Sequence, residues 1–264
     1  MAAEALATRA LTGVVLVAVA LAAVWAGGAV FTALVAAGAL LMFAEWAVMH
    51  RLPRPLRLAG LALVGGLLLT MPLVTIGETL IALGAAAGLL GLFALRLYRR
   101  WGIAAATGLL YCALPAMALV WLRGRPLGLD ACLFVLAVVW ATDIAAYFAG
   151  RAIGGPKLAP AISPAKTWAG AIGGIMGAMV VGTGLAASQI DSPRFLGSFA
   201  SLAGGLAALA VLGDLYESAL KRRAGVKDSG ALLPGHGGVL DRLDGLVPAA
   251  IAGAAVFAAT GWAG

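Results

Sequence analysis

The stretch 28-GAVFTALVAAGALLMFAEWAV-48 runs for about six helical turns and carries a single charge, Glu45, near its end. A bilayer's hydrocarbon core is ~30 Å thick and takes roughly 20 apolar residues per helix, so this stretch reads as a span. Working outward, equivalent runs fall at 10–26, 57–76, 78–96, 102–122, 130–150, 169–189, 196–216 and 246–263. With 63% hydrophobic residues, 11% charged ones and a mean hydropathy of +1.04 over 264 positions, the chain cannot bury its apolar side chains in one water-soluble core. The expected fold class is all-α: a polytopic integral membrane protein of about nine transmembrane helices. Gly and Ala dominate the runs and let helix backbones approach closely in lipid, which predicts one transmembrane domain over 1–264. Lipid-exposed open sheets are excluded, because their edge groups would find no hydrogen-bond partners.

Charge placement orients the spans. With nine of them, Arg123, Arg125 and Arg194 fall on one side, and every other basic residue of the 18 falls on the opposite side. Cytoplasmic loops collect Lys and Arg, so the N-terminus and the even-numbered connections are expected in the cytoplasm, in a bacterial-type inner membrane. A net charge of +7 and a pI near 10.0 follow from this asymmetry and from attraction to anionic headgroups. Nucleic acid is not an expected partner, since no basic stripe interleaved with aromatics occurs. The run after Arg9 resembles a signal peptide in composition, but Gly27-Gly28 lead straight into another span rather than a polar mature start, so it reads as retained. Cys112 and Cys132 lie inside apolar runs and read as buried thiols, not as a disulfide or zinc site.

Polarity concentrates near the C-terminus. Of eleven acidic residues, five lie in one window: Asp214, Glu217, Asp228, Asp241 and Asp244. Lys221, Arg222, Arg223, Lys227, His236 and Arg242 share it. A solvated loop is the bland explanation, but three details point elsewhere. Asp214, Glu217, Ser218 and Lys221 are spaced to share one face of a helix continuing from the eighth run, and an acid at a span's end is costly unless paired or metal-bound. Gly235-His236-Gly237-Gly238 offers backbone N–H groups that can approach phosphate. Asp241 and Asp244, three apart beside Arg242, can project together. Carboxylates mixed with Lys and Arg suit a metal-bound triphosphate: Mg2+ takes one or two protein carboxylates, and the cations neutralise the remaining phosphate charge.

A second cluster precedes it. Asp143, Tyr147 and Arg151 follow one another at four-residue spacing on a helical face, which also suits a polar patch at a helix end. Lys157 and Ser163-Pro164-Ala165-Lys166-Thr167-Trp168-Ala169-Gly170 follow, opening the seventh run. Ser and Thr there read as helix caps or, with Lys166 beside a helix N-terminus, as an anion site. Both clusters fall on the side expected to be cytoplasmic.

At these residues the chain resembles the phosphatidate cytidylyltransferase family. The family signature is filled by Ser218, Lys221-Arg222, Lys227-Asp228, Pro234, His236-Gly237-Gly238 and Asp241-Arg242-Leu243-Asp244. The likeness extends to Gly213-Asp214-Leu215, to Asp143 through Tyr147, and to Ser163, Pro164, Lys166 and Thr167. It thus covers the C-terminal half, about 130–264, whereas the N-terminal half matches in hydrophobicity alone. One departure stands out: family members commonly carry Glu where this chain has Ala169. The resemblance implies transfer of a cytidylyl group from CTP to phosphatidic acid, with release of pyrophosphate, in a homodimer surrounded by membrane lipids. It implies Asp214 and Asp241 as metal carboxylates for Mg2+, with or without a second, monovalent cation.

The attacking group is already a phosphate oxyanion, so no dedicated general base is required. What remains is charge neutralisation and in-line alignment. Lys221, Arg222, Lys227, Asp228, His236, Arg242 and Asp244 are the candidate catalytic residues, the basic ones acting collectively on phosphate. Asp143, Tyr147, Ser163, Lys166, Thr167, Ser218, Gly237 and Gly238 are candidates for substrate binding. A transporter is the competing class, but the charges cluster on one side, no internal repeat is evident, and Glu45 and Glu78 are the only acids in or beside the early spans. Prenyltransferases and CDP-alcohol phosphotransferases carry aspartate motifs absent from this chain.

Overall fold

Helix follows helix because each apolar run ends at a residue that stops it. The computed structural model describes residues 2–188, 193–233 and 237–261. Its helices are α1 (Ala2–Ala26), α2 (Gly28–Met49), α3 (Arg54–Thr70), α4 (Ile76–Tyr98), α5 (Gly102–Arg123), α6 (Gly128–Ile153), α7 (Trp168–Ala187), α8 (Pro193–Ala224), the short α9 (Leu240–Leu243) and α10 (Leu246–Thr260). Gly27, at φ 64°, breaks α1 from α2, a conformation that costs a glycine little. Pro53 precedes α3, and Arg99 ends α4 in the left-handed region. Glu78 has a local role: it accepts from the Thr75 backbone N–H (2.8 Å), while Thr75 Oγ1 accepts from Glu78 N–H (3.3 Å). That reciprocal capping box satisfies backbone donors at the start of α4.

Among the described residues, seven helices are long and apolar enough to cross a membrane: α2, α3 with the turn after it, α4, α5, α6, α7 and α8. The chain is a helical membrane protein. The first and last of the nine expected runs form shorter apolar helices, Leu11–Ala26 and Leu246–Thr260. The third run stops early as an α-helix, with a 3-10 turn at Met71–Leu73. Pro72 within it lacks the N–H an α-helix would use. The eighth continues past its apolar limit, as the spacing of Asp214, Glu217, Ser218 and Lys221 predicts, and α8 reaches Ala224. At 32 residues it is ~48 Å long, well over a ~30 Å hydrocarbon core, which leaves length for a polar end with Lys221, Arg222 and Arg223 in its last turn.

The segment Ser163–Thr167, read from sequence as capping residues ahead of the seventh run, has a backbone form that the sequence reading did not foresee. It forms strand β2, paired antiparallel with β1 (Lys157–Ala159), with Lys157 opposite Thr167 and Ala159 opposite Ser163. Pro164 explains it, because the residue before a proline is driven to extended backbone. Helix α7 begins only at Trp168, capped by Thr167, whose Oγ1 accepts from Gly170 N–H at 3.1 Å.

The helices form two units, Met1–Arg125 with Ala224–Leu243, and Pro126–Arg223 with Asp244–Gly264. In the first, α5 packs against α2, α3 and α4. Trp46 of α2 donates from Nε1 to the Ala104 carbonyl (2.9 Å), stacks on His50 and lies over Gly108. Arg123 at the end of α5 donates to the Val24 and Trp25 carbonyls (2.6 and 3.2 Å), satisfying the end of α1. In the second unit α6 and α7 approach through small residues. A Cβ on Gly174 would lie 2.9 Å from the Thr142 carbonyl. Gly150 and Gly170 repeat this at the polar end of the pair, which sets the hairpin against the last turns of α6.

Candidate active site

In the second unit, the long reach of α8 carries the predicted polar face. Asp214, Glu217, Ser218 and Lys221 all lie on this one helix. Lys166 of β2 pairs with the Asp214 carboxylate. Lys221 Nζ lies 2.6 Å from Glu217, whose side chain is fully buried. Ser218 Oγ makes a long 3.5 Å contact with Asp214 Oδ1. One turn on, Arg222 donates from Nε to the Ile162 carbonyl (3.3 Å) in the hairpin turn, so β1–β2 is tied to α8 at two points.

Asp244, in the turn before α10, completes this group. Its Oδ1 accepts the Gly245 N–H at 2.7 Å. Burial, then the neighbouring Asp214, Glu217 and Asp143 carboxylates, push the Asp244 pKa well above the ordinary carboxylate value. Helix α9 ends at Leu243, so the three-residue spacing from Asp241 to Asp244 is not carried by one helix. Asp143 itself is exposed on α6. Tyr147, also exposed, accepts from Arg151 at 3.4 Å and meets Phe148 edge-on. Ser163 and Thr167 sit in β2, and the Thr167 hydroxyl is engaged in capping α7.

In the first unit, residues 224–233 and 237–243 carry the rest of the signature. Lys227 and Asp228 are exposed, Ser229 is buried and Arg242 is exposed on α9. Leu233 N–H donates to the Gly237 carbonyl (2.9 Å), and Gly237 adopts φ 80°. Asp241 Oδ2 accepts two backbone N–H groups, from Ser229 (2.9 Å) and Gly238 (2.8 Å). Gly238 thus directs its N–H at Asp241. His236, with Pro234 and Gly235, lies outside the described residues.

No group of three or more His, Cys, Asp and Glu side chains suited to a metal ion occurs among the described residues. A hard divalent ion that keeps water and phosphate oxygens needs only one or two protein carboxylates. The second unit suits one, because the carboxylates that raise the Asp244 pKa form a cluster that added positive charge would stabilise. Asp241 supplies oxygens of the hard type that such an ion takes. Ala169 leaves the first turn of α7 without an acidic residue.

Comparison with known proteins gives the family. Residues 7–260 match the Cytidylyltransferase family. The chain belongs to that family. It is 47% identical to the phosphatidate cytidylyltransferase of Brucella suis biovar 1 (strain 1330) over 251 residues, 92% of this chain and 90% of the relative. The Pseudomonas aeruginosa phosphatidate cytidylyltransferase is 40% identical over 166 residues, 62% of this chain and 59% of that one. The Helicobacter pylori protein of the same name is 44% identical over 123 residues, 47% of this chain and 45% of its own length. The first match extends the resemblance beyond the C-terminal half, where the signature lies, to nearly the whole chain.

Two carboxylates of this cytidylyltransferase gain weight from the structure. Glu217 was visible on the predicted face of α8 but without an assigned role, and it emerges buried against Lys221. Glu45 was noticed only as an isolated acid in an early span. Its buried carboxylate accepts from Val239 N–H, Leu240 N–H and Ser229 Oγ at 2.9, 2.9 and 3.0 Å. The usable signal was the cost of an ionisable side chain within an apolar run.

Proposed function

We propose that this membrane protein transfers the cytidylyl group of CTP to phosphatidic acid, giving CDP-diacylglycerol and pyrophosphate. The observation that carries the reading is the family match over residues 7–260, with relatives named for this activity. A phosphatidate oxygen attacks the α-phosphorus of CTP, a P–O bond forms, and the bond to the β-phosphate oxygen breaks as pyrophosphate leaves. The nucleophile is anionic at neutral pH, so the protein needs to supply alignment and charge rather than a base.

Asp214 and Asp241 would hold Mg2+, which when bound offsets the charge of the triphosphate and of the departing pyrophosphate. Lys166, Lys221 and Arg222 on the second unit, and Lys227 and Arg242 on the first, are the cations for phosphate oxygens. The Lys166–Asp214 and Lys221–Glu217 pairs keep two of these cations oriented. In this reading the N-terminus and the site face the cytoplasm of a bacterial-type inner membrane, where CTP is available, and the enzyme works as a homodimer.

The deciding experiment is formation of radiolabelled CDP-diacylglycerol from labelled CTP and phosphatidic acid by purified protein in detergent. Product should require both substrates and should vanish with EDTA and return with Mg2+. Absence of product across several divalent ions would overturn the assignment.

A further inference from the structure

Glu45 sits near the end of α2, yet it accepts hydrogen bonds from Ser229, Val239 and Leu240 of the signature segment, 184, 194 and 195 residues further along the chain. Its Oε1 accepts Val239 N–H, and its Oε2 accepts Leu240 N–H and the Ser229 hydroxyl. Ser229 then turns its own N–H to Asp241 Oδ2, which also takes Gly238 N–H. Three consecutive backbone N–H groups, 238 to 240, are therefore divided between Asp241 and Glu45, with Ser229 touching both carboxylates. The fit is close. A Cβ on Gly230 would lie 2.6 Å from Glu45 Oε1, and one on Gly238 would lie 2.5 Å from Oε2. The support is firm too, since Trp46 next along α2 is hydrogen-bonded to the Ala104 carbonyl of α5.

The geometry points to Glu45 as the positioning residue that sets the backbone of Gly238–Leu240 and, through Ser229, the orientation of the Asp241 carboxylate for cytidylyl transfer. The residue type follows from the partners. All three are donors, so the position requires two acceptor oxygens, which a carboxylate has and an amide does not. Glutamine would turn an NH2 group towards a backbone N–H, and aspartate would be one methylene too short to reach. Burial makes the arrangement demanding, because a buried carboxylate persists only when its hydrogen bonds are made. Glu45 touches no reacting atom in this account. It acts through the loop.

This inference rests on the reading that the Asp241 segment serves the reaction, and the test separates the two. Full-length Glu45→Gln and Ser229→Ala proteins are purified in detergent alongside Asp241→Asn. For each, kcat per folded molecule, the KM for both substrates and the thermal midpoint are measured. Glu45→Gln should lose at least ~10-fold in kcat with the KM for phosphatidic acid within ~2-fold, and Ser229→Ala should lose ~3-fold or more. A merely structural role would lower the thermal midpoint and the folded yield while leaving kcat per folded molecule unchanged. Wild-type kcat in both variants overturns the inference. If Glu45→Gln does not fold, Ser229→Ala decides alone, and unchanged kcat there overturns it. Should Asp241→Asn itself retain turnover, the reading of the segment fails instead.

Discussion

The two units hold their carboxylates in different ways. Around the signature loop of the first unit, Glu45 and Asp241 are gripped by backbone N–H groups and one hydroxyl. On α8 of the second, Asp214 and Glu217 face the ammonium groups of Lys166 and Lys221. Backbone donors are fixed by the fold and leave the carboxylate's full negative charge in place. Lysine side chains neutralise charge and can rotate away when a phosphate competes for them. The difference teaches a division of labour: the loop supplies fixed geometry, and the helix supplies exchangeable charge.

The sharpest way to break this comparison is to neutralise one carboxylate of each kind. Asp214→Asn and Asp241→Asn should each lower turnover by ~1,000-fold or more, measured as CDP-diacylglycerol formation, if both serve the metal. With alanine at each position, stabilities should part. Asparagine at 241 can keep its carbonyl oxygen on the Ser229 and Gly238 N–H groups, whereas Asp241→Ala leaves both without their acceptor, and leaving a buried donor unmade costs about 1–3 kcal/mol. Asp214 is only half-buried, so its replacement should leave the thermal midpoint within a degree or two of the parent. Equal destabilisation by the two alanine substitutions would erase the distinction between the units.

Smaller differences should appear within the α8 face itself. Lys221→Ala leaves Glu217, with no exposed side-chain surface, without its cation, and breaking a buried pair in this way costs about 3–5 kcal/mol. Lys166→Ala removes the partner of a more exposed carboxylate, where ion pairs are worth about 0–1 kcal/mol. Its effect should instead be a raised KM for CTP or phosphatidic acid. Chemical or thermal denaturation of the two variants distinguishes these outcomes, and a stability loss as large for Lys166→Ala would show that its charge is spent on the fold.

How much of this was legible follows from the same physics. Helices and their approximate limits came from run length, since lipid forces internal backbone pairing and leaves few alternatives. The shared face of Asp214, Glu217 and Lys221 was legible because helical spacing is a local rule. Strand β2 was not, although Pro164 carried the clue; the hairpin depends on pairing between Lys157 and Thr167 and between Ala159 and Ser163, which periodicity does not report. Glu45 was the hardest. Nothing near it in sequence hints at Ser229 or Leu240, and only the cost of placing an acid among apolar neighbours marked it out. Gly238 had a general meaning, a close approach, but what approaches is the Ser229 hydroxyl and the Glu45 carboxylate, and that is tertiary information.

Asp244 offers the most delicate test, because in it the crowding of acids on the second unit acts on a single titration. In the unfolded chain its carboxyl titrates at an ordinary value; in the folded chain burial, together with Asp214, Glu217 and Asp143, moves the pKa upward. The folded state therefore binds the proton more tightly than the unfolded state does, and stability from this residue is fully present at pH below the ordinary carboxylate value. It is lost as pH rises from that value through the raised one, leaving a net cost at neutral pH. Asp244→Asn removes the titration, so the variant should melt above the parent at pH 7, and the gap should close as the pH falls below about 4. Turnover should fall in the same variant, since Asp244 closes the signature by which the chain resembles the family. A midpoint at pH 7 equal to or below the parent's would mean that Asp244 is already compensated in the folded protein, and that the second unit does not hold its acids under mutual repulsion.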